Sequence, residues 1–388
     1  MTSVIPAGTR TVLVHDYLTQ FGGAEQVLAV LQGMFPDAPT LTTLHNPDVN
    51  LPGLDRTRII ESPLGRVPGL RRYHRFGLPA FPLAMRALGR SVTANDVVVA
   101  DSSAWAHQIS VPAETPVVAY CHSPARFLYG DNDYLTATSI DGLARSVLRL
   151  GTTPLRMLDR RAWSRADVIL ANSDLVRKRL MDQIGIEARV LHPPIDIARY
   201  QPVEPVKAED WFLVLSRLVP HKRIDLVIET CNHLRVPLRI IGTGRDLPRL
   251  QALAGPTIRF MGFLPEDEVI LALQQCRALI IPGVEDFGMT AVEAQAAGRP
   301  VITIDRGGTA EAVVPDVTGI LFHDQTVAGL SPAIERTVRD TFDSADAIRN
   351  AARFDTAIFA KGIRAAVDEA IQLRRLARKT DRAAAAKR

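Results

Sequence analysis

Short β-branched and apolar runs alternate along this chain with longer segments whose apolar positions recur every three or four residues, and the whole rhythm is played twice. In the first half Thr11–Val14, Val97–Ala100, Val117–Tyr120, Val168–Ala171 and Arg189–Leu191 read as strands of a parallel sheet. In the second half Phe212–Leu215, Leu238–Ile241, Ile258–Met261, Ala278–Ile281 and Val301–Thr303 repeat the pattern, with helices over Ile224–Leu234, Leu247–Ala254 and Glu266–Gln275 between them. Periodicity breaks in LHPPIDIARYQPVEPVKAED, at Pro193, Pro194, Pro202 and Pro205, which is how an interdomain connection reads. The prediction is an α/β protein of two tandem, Rossmann-like, doubly wound domains, residues 1–195 and 196–360, followed by a helix and basic tail over 361–388. Phe354 and Phe359 flank Asp355 as a hydrophobic staple flanks an N-cap, so a helix is expected from there to about Arg375, with a frayed helical tail beyond.

Composition adds few constraints. A chain of 388 residues, 47% apolar and 23% charged, is an ordinary globular protein too long for one typical core. Three separated cysteines, Cys121, Cys231 and Cys276, indicate neither a disulfide framework nor a zinc knuckle and fit a reducing cytosol. No signal-peptide pattern and no apolar run of about 18 residues is present, so a cytoplasmic protein is expected. The net charge of +4 is uneven: eight arginines against the single acid Glu61 lie between Arg56 and Arg90. That stretch carries Arg71, Arg72 and Arg75 among Leu70, Tyr73, Phe76, Leu78, Phe81, Leu83 and Met85, a composition suited to the anionic inner face of a membrane. The same residues would equally serve as core packing with solvated arginines. No motif for nucleic-acid recognition accompanies the charge.

The most informative segment is GVEDFGMTAVEAQAAGRPV, which sets Glu285 and Glu293 eight residues apart across a loop-to-helix junction. Ala278–Ile281 ends at Pro282-Gly283, and a helix is expected from Met289 to Ala297, closed by Gly298 and Pro300. The backbone amides of Phe287, Gly288 and Met289 then lie at a helix start, where unpaired N–H groups favour anionic ligands, and carboxylates accept from sugar hydroxyls. The spacing alone also fits an ordinary strand-loop-helix with two solvated glutamates. Upstream, Arg217 follows the strand Phe212–Leu215 and Lys222 stands five residues on, both at the sheet edge where phosphate is bound in open α/β sheets. Gly242-Thr243-Gly244 invites a dinucleotide reading, but Leu247 replaces the third glycine, which argues against a dehydrogenase. Gly262 and Phe263 follow the next strand, where main chain can meet a base edge or simply turn, and Gly307, Gly308, Thr309 and Glu311 mark a further strand-to-helix turn.

In the first half, Gly22 and Gly23 open an amphipathic helix bearing Glu25, a loop able to close over phosphate or sugar or merely to turn sharply. His122 follows the strand Val117–Tyr120, with Arg126 one turn further along. Asp131-Asn132-Asp133 matches a D-x-D metal pattern, but so short a polar match arises often by chance, and no metal is expected.

Together, GGAE after the first strand, YCHSPARFLY, ANSDLVRKRL before HPPID, SRLVPHKR, GTGRD, GFLPEDEV, EDFGMTAVE and GGTAEAVVPDVTG stand in the order that resembles GT-B retaining glycosyltransferases of family four. The resemblance covers nearly the whole chain. It implies two domains facing across a cleft, with the C-terminal helix packing back toward the N-terminal domain. It implies that Arg217 and Lys222 bind the donor diphosphate, Glu293 the ribose, and Glu285 with the 287–289 amides the transferred sugar. Gly22 and Gly23 would border phosphates and acceptor, with Arg71, Arg72, Arg75 and Arg126 on the acceptor or membrane side, and His122 would contact the sugar near the reacting carbon. One position departs from the family, where a glycine usually follows the lysine and here stands Arg223.

YCHSPARFLY and SSAWAHQISVP look like bacterial mannosyltransferases that use GDP-mannose to extend lipid-linked polysaccharide precursors, with UDP-sugars as the alternative donors. The implied partners are a nucleotide sugar and a lipid-linked or glycan acceptor, without metal or other cofactor. A non-catalytic nucleotide-sugar-binding protein on the same frame is the reading from another class.

Overall fold

The computed structural model describes residues 9–71, 80–129, 142–204 and 206–385. Arg72, Arg75 and Asp131-Asn132-Asp133 lie outside them. The chain forms two compact units, Met1–His192 with Phe359–Arg388, and Pro193–Ile358.

The first unit is built on seven parallel strands: β1 (Thr11–His15), β2 (Thr40–Thr42), β3 (Ile59–Glu61), β4 (Val97–Ser102), β5 (Val117–Cys121), β6 (Val168–Ala171) and β7 (Arg189–Val190), ordered β3-β2-β1-β4-β5-β6-β7. Every residue of β1, β4 and β5 is buried. Strand residues alternate between faces, so Leu13, Val97, Val99, Val118 and Tyr120 enter one apolar cluster while Val12, Val14, Val98 and Ala100 enter another. A sheet apolar on both faces needs cover on both, which is why the β-branched runs are continuous.

The second unit repeats the plan with β8 (Phe212–Leu215), β9 (Leu238–Ile241), β10 (Ile258–Gly262), β11 (Leu279–Ile281), β12 (Val301–Ile304) and β13 (Gly319–Phe322), ordered β10-β9-β8-β11-β12-β13 and all parallel. Strand order reverses between β1 and β4 in one sheet and between β8 and β11 in the other. Such switch points open a crevice at the carboxyl ends of the strands, where ligands bind in doubly wound sheets.

The expected strands are present to within one or two residues. Three were not anticipated: β2, β3 and β13, of three, three and four residues. Asp355 does accept from the amide of Ala357 at 2.8 Å, but Phe354 packs in the second unit's core and Phe359 in the first's, edge-on to Tyr120 at 5.4 Å. The final helix runs on to Ala385, well past Arg375, and Phe359, Ile363, Ala366, Val367, Ala370 and Ile371 complete the first unit's core. The apolar residues of the arginine-rich stretch divide likewise: Phe81 and Met85 are buried, and Leu83 is exposed.

Candidate active site

In the second unit the switch point is bridged by charge. Lys222 ends a short 3-10 turn after β8, Glu285 lies in the loop after β11, and the ammonium nitrogen meets both carboxylate oxygens. Each side chain retains 17% exposure, so the pair is partly desolvated while remaining reachable. The sequence assigned Lys222 to phosphate with Arg217 and Glu285 to sugar; the structure brings lysine and glutamate together, and leaves Arg217 exposed just beyond β8. A cation and an acceptor thus share one point on the strand edge. Arg223 takes the left-handed conformation (φ 52°, ψ 36°), the backbone geometry for which glycine is the natural residue.

Glycines set the walls of this site. A Cβ on Gly242 would lie 1.9 Å from the carbonyl oxygen of Ser216, and one on Gly244 2.2 Å from that of Leu218. The GTG segment therefore presses the β9 loop onto the β8 loop, tied by the Leu218 amide to the Thr243 oxygen at 2.9 Å. Its role is positional. Gly288 (φ 82°) begins the helix Met289–Ala296, and a Cβ there would lie 2.3 Å from Thr309 Oγ1. Gly308 donates its amide to the Glu285 oxygen at 2.8 Å, so the GG turn after β12 backs the loop that carries Glu285. Phe287 is buried against Phe354, anchoring the loop between the two glutamates.

Glu293 is placed differently from Glu285. It lies inside the helix, 6% exposed, hydrogen-bonded to Tyr200 of the short helix Ile197–Tyr200. Burial pushes its carboxyl up to about 7, with the nearby Glu266 reinforcing the rise and the Tyr200 bond and Arg199 opposing it. Burial and the same glutamates also raise the Tyr200 phenol. Gly262 ends β10 in a left-handed conformation (φ 69°), and Phe263 beside it is 83% exposed.

The first unit's switch point is bridged as well. His15 ends β1, Asp101 lies near the end of β4 and His122 follows β5. The Asp101 carboxylate reaches His15 Nδ1 at 2.8 Å with one oxygen and His122 Nε2 at 2.5 Å with the other. His15 Nε2 stands 3.9 Å from Glu25 in the first turn of the helix Gly23–Met34. Burial alone would lower the His15 pKa, yet the hydrogen bonds and charges of Asp101 and Glu25 carry it up to about 10. Burial would likewise raise Asp101, but His122 and His15 hold it below the usual carboxylate value.

Gly22 is extended (φ −164°), a conformation open to any residue, so no sharp turn requires it; a Cβ there would come within 3.3 Å of the Glu25 carboxylate. Arg126 begins the short helix Arg126–Tyr129 beyond His122. Arg71, 40% exposed, grips Glu61, the one acid of its stretch, at 2.7 and 3.3 Å.

Sequence reasoning missed Asp101, His15 and Tyr200. The only signal for Asp101 was an acid closing the apolar run VVVAD, a position that gains meaning once β4 is known to border the switch point. Among the described residues no group of three or more His, Cys, Asp or Glu side chains is arranged to hold a metal ion.

Residues 198–354 match the family model for glycosyl transferases group 1, and residues 21–199 match that for glycosyltransferase family 4. A D-inositol 3-phosphate glycosyltransferase of Geodermatophilus obscurus is 29% identical over 256 residues, 56% of this chain and 57% of that protein. A GDP-mannose-dependent alpha-(1-6)-phosphatidylinositol monomannoside mannosyltransferase of Mycobacterium tuberculosis is 27% identical over 248 residues, 56% of this chain and 63% of that one. The chain spans little more than half the length of these curated relatives. In fold it is similar to the crystal structure of Anabaena HepE in complex with UDP and glucose, with a TM-score of 0.65 at 18% identity, covering 91% of this chain and 98% of the other.

Proposed function

Because the chain belongs to the group 1 glycosyltransferases of GT-B fold, we propose that it moves a hexosyl group from a nucleotide sugar to a hydroxyl of a lipid-linked or glycan acceptor. The observation that carries this reading is the Lys222–Glu285 pair across the β8/β11 switch point, which puts a phosphate-binding cation beside a hydroxyl-binding carboxylate. The donor diphosphate displaces Glu285 from Lys222, so that Lys222 and Arg217 face phosphate oxygens while Glu285 turns to the sugar. Glu293, inside the helix Met289–Ala296, takes the ribose hydroxyls, with Gly262 and Phe263 beside the base.

In the transfer itself the bond from the anomeric carbon to the diphosphate oxygen breaks as the acceptor oxygen bonds to the same face of that carbon. The acceptor's proton passes to the departing phosphate oxygen, and configuration is retained. Negative charge grows on the leaving group, and the two cations and the amides of Phe287, Gly288 and Met289 stabilise it. His122 contacts the sugar near the reacting carbon. The reaction in this reading uses no metal.

The donor we favour is GDP-mannose, supported by the YCHSPARFLY segment and by the relatives named as mannosyltransferases. The setting is polysaccharide or glycolipid synthesis at the cytoplasmic face of the membrane. Titration with GDP-mannose, UDP-glucose and UDP-N-acetylglucosamine tests the donor: heat of binding is expected with GDP-mannose at micromolar to millimolar Kd. Tighter binding of either UDP-sugar would reassign the donor, and absence of binding by all three would refute the proposed function.

A further inference from the structure

The carboxylate of Asp101 is fully buried at the end of β4, yet it supports nothing in the sheet; both its oxygens are spent on imidazoles, His15 on one side and His122 on the other. An ionised carboxylate only accepts hydrogen bonds, so the His122 nitrogen facing it must carry a proton. That nitrogen is Nε2, which leaves Nδ1 as the ring atom with no hydrogen-bond partner among the described residues. The imidazole is held from behind too: its main-chain amide donates to the Ser102 oxygen at 2.8 Å, its carbonyl accepts from Asn172 Nδ2 at 2.9 Å, and Tyr120 meets its ring edge-on at 5.1 Å. The side chain keeps 12% of its surface exposed, against 3% for His15 and none for Asp101. Of the three, only His122 reaches solvent appreciably.

On the far side, His15 stands 3.9 Å from Glu25, one of whose carboxylate oxygens lies 3.3 Å from where a Cβ on Gly22 would stand. The chain Glu25–His15–Asp101–His122 therefore runs from the first turn of the helix Gly23–Met34, across the ends of β1 and β4, to the His122 imidazole. Buried ionic chains of this kind are costly unless fully paired, and here each carboxylate faces a histidine.

We propose that Asp101 is a positioning residue for sugar transfer, fixing His122 as the Nε2–H tautomer so that Nδ1 is presented to a hydroxyl of the transferred sugar. His15 and Glu25 hold Asp101 in place and couple the ring to the Gly22-Gly23 turn. The inference rests on the proposed role of His122 in transfer, but its structural half can be read independently. A ring carrying its single proton on Nε2 accepts from a sugar hydroxyl through Nδ1, a role the opposite tautomer cannot fill.

The test is a long-range ¹H–¹⁵N correlation spectrum of the full chain labelled at histidine, with His122 assigned by its loss in His122→Gln. The wild type is expected to show His122 protonated at Nε2, and Asp101→Asn to show a shifted or mixed tautomer pattern at that residue. In the same preparations Asp101→Asn should lower kcat for the donor that turns over about tenfold or more, with KM within about twofold. His122 protonated only at Nδ1 in the wild type would overturn the proposal even if the variant failed to fold. So would an unchanged His122 pattern in folded Asp101→Asn, or a loss confined to KM. A correct tautomer in a protein that turns over no nucleotide sugar would leave Asp101 as the holder of His122 and refute the transferase reading instead.

Discussion

Glu285 and Glu293 share a motif but not an environment, and their chemistry should differ accordingly. Glu285 is partly buried and already paired with a cation, whereas Glu293 is buried with its carboxyl pushed up to about 7. Glu293→Ala is expected to weaken GDP binding about tenfold or more, while Glu285→Ala lowers kcat and leaves GDP bound at least as tightly, since Lys222 no longer has a carboxylate to give up; equal losses of GDP affinity, measured by titration, would remove the division between ribose and sugar. The raised pKa also fixes a pH dependence. Between about pH 4.5 and 7 the folded chain holds a proton at Glu293 that the unfolded chain has released, so stability falls as pH rises through this window. His15 has the same sign in a higher window: its contribution is complete below about 6.5 and lost as pH rises through about 10. Thermal melting from pH 4.5 to 10 should show both declines, and Glu293→Gln should abolish the lower one alone. The sequence exposed the spacing of the two glutamates but not this contrast, because burial of Glu293 depends on Tyr200, ninety-three residues away and visible only once the helix Ile197–Tyr200 has packed.

At the scale of elements, the loops after the strands are held by backbone that admits no side chain. Gly288→Ala would force a Cβ against Thr309 at a positive φ, and a loss of roughly 1–3 kcal/mol in stability is expected, with weaker donor binding because the Glu285 loop shifts. Arg223 is the opposite case, a side chain where glycine suits the backbone. Arg223→Gly should leave the melting temperature unchanged or raise it, and Arg223→Val should lower it, since a β-branched residue tolerates the left-handed region poorly. A Gly variant less stable than the wild type would show that the Arg223–Asp225 contact, at 3.4 Å, outweighs backbone strain. Periodicity located most elements because buried parallel strands must be apolar throughout and their helices amphipathic. It did not pick out β2, β3 and β13, which lie at or next to a sheet edge and hold their place by pairing with a neighbouring strand.

For the whole molecule, the chain builds one plan twice and places a charged bridge at each switch point, His15–Asp101 between β1 and β4 and Lys222–Glu285 between β8 and β11. The sequence disclosed the repetition and the second bridge's residues, but not the first bridge, since Asp101 and His15 are ordinary polar ends of strands until the strand order puts them side by side. The last helix belongs to the first unit although it follows the second in sequence, so removal of residues 359–388 should expose the β1–β7 core and prevent stable folding of that unit, read as lost protease resistance. No helix among the described residues is long and apolar enough to cross a membrane. The central claim, sugar transfer at the β8/β11 switch point, is tested most directly by the rate of GDP release from GDP-mannose in the presence of a lipid-linked acceptor. Release that requires the acceptor and falls about a hundredfold in Lys222→Ala is expected; no acceptor-dependent release, or an undiminished rate in that variant, would contradict it.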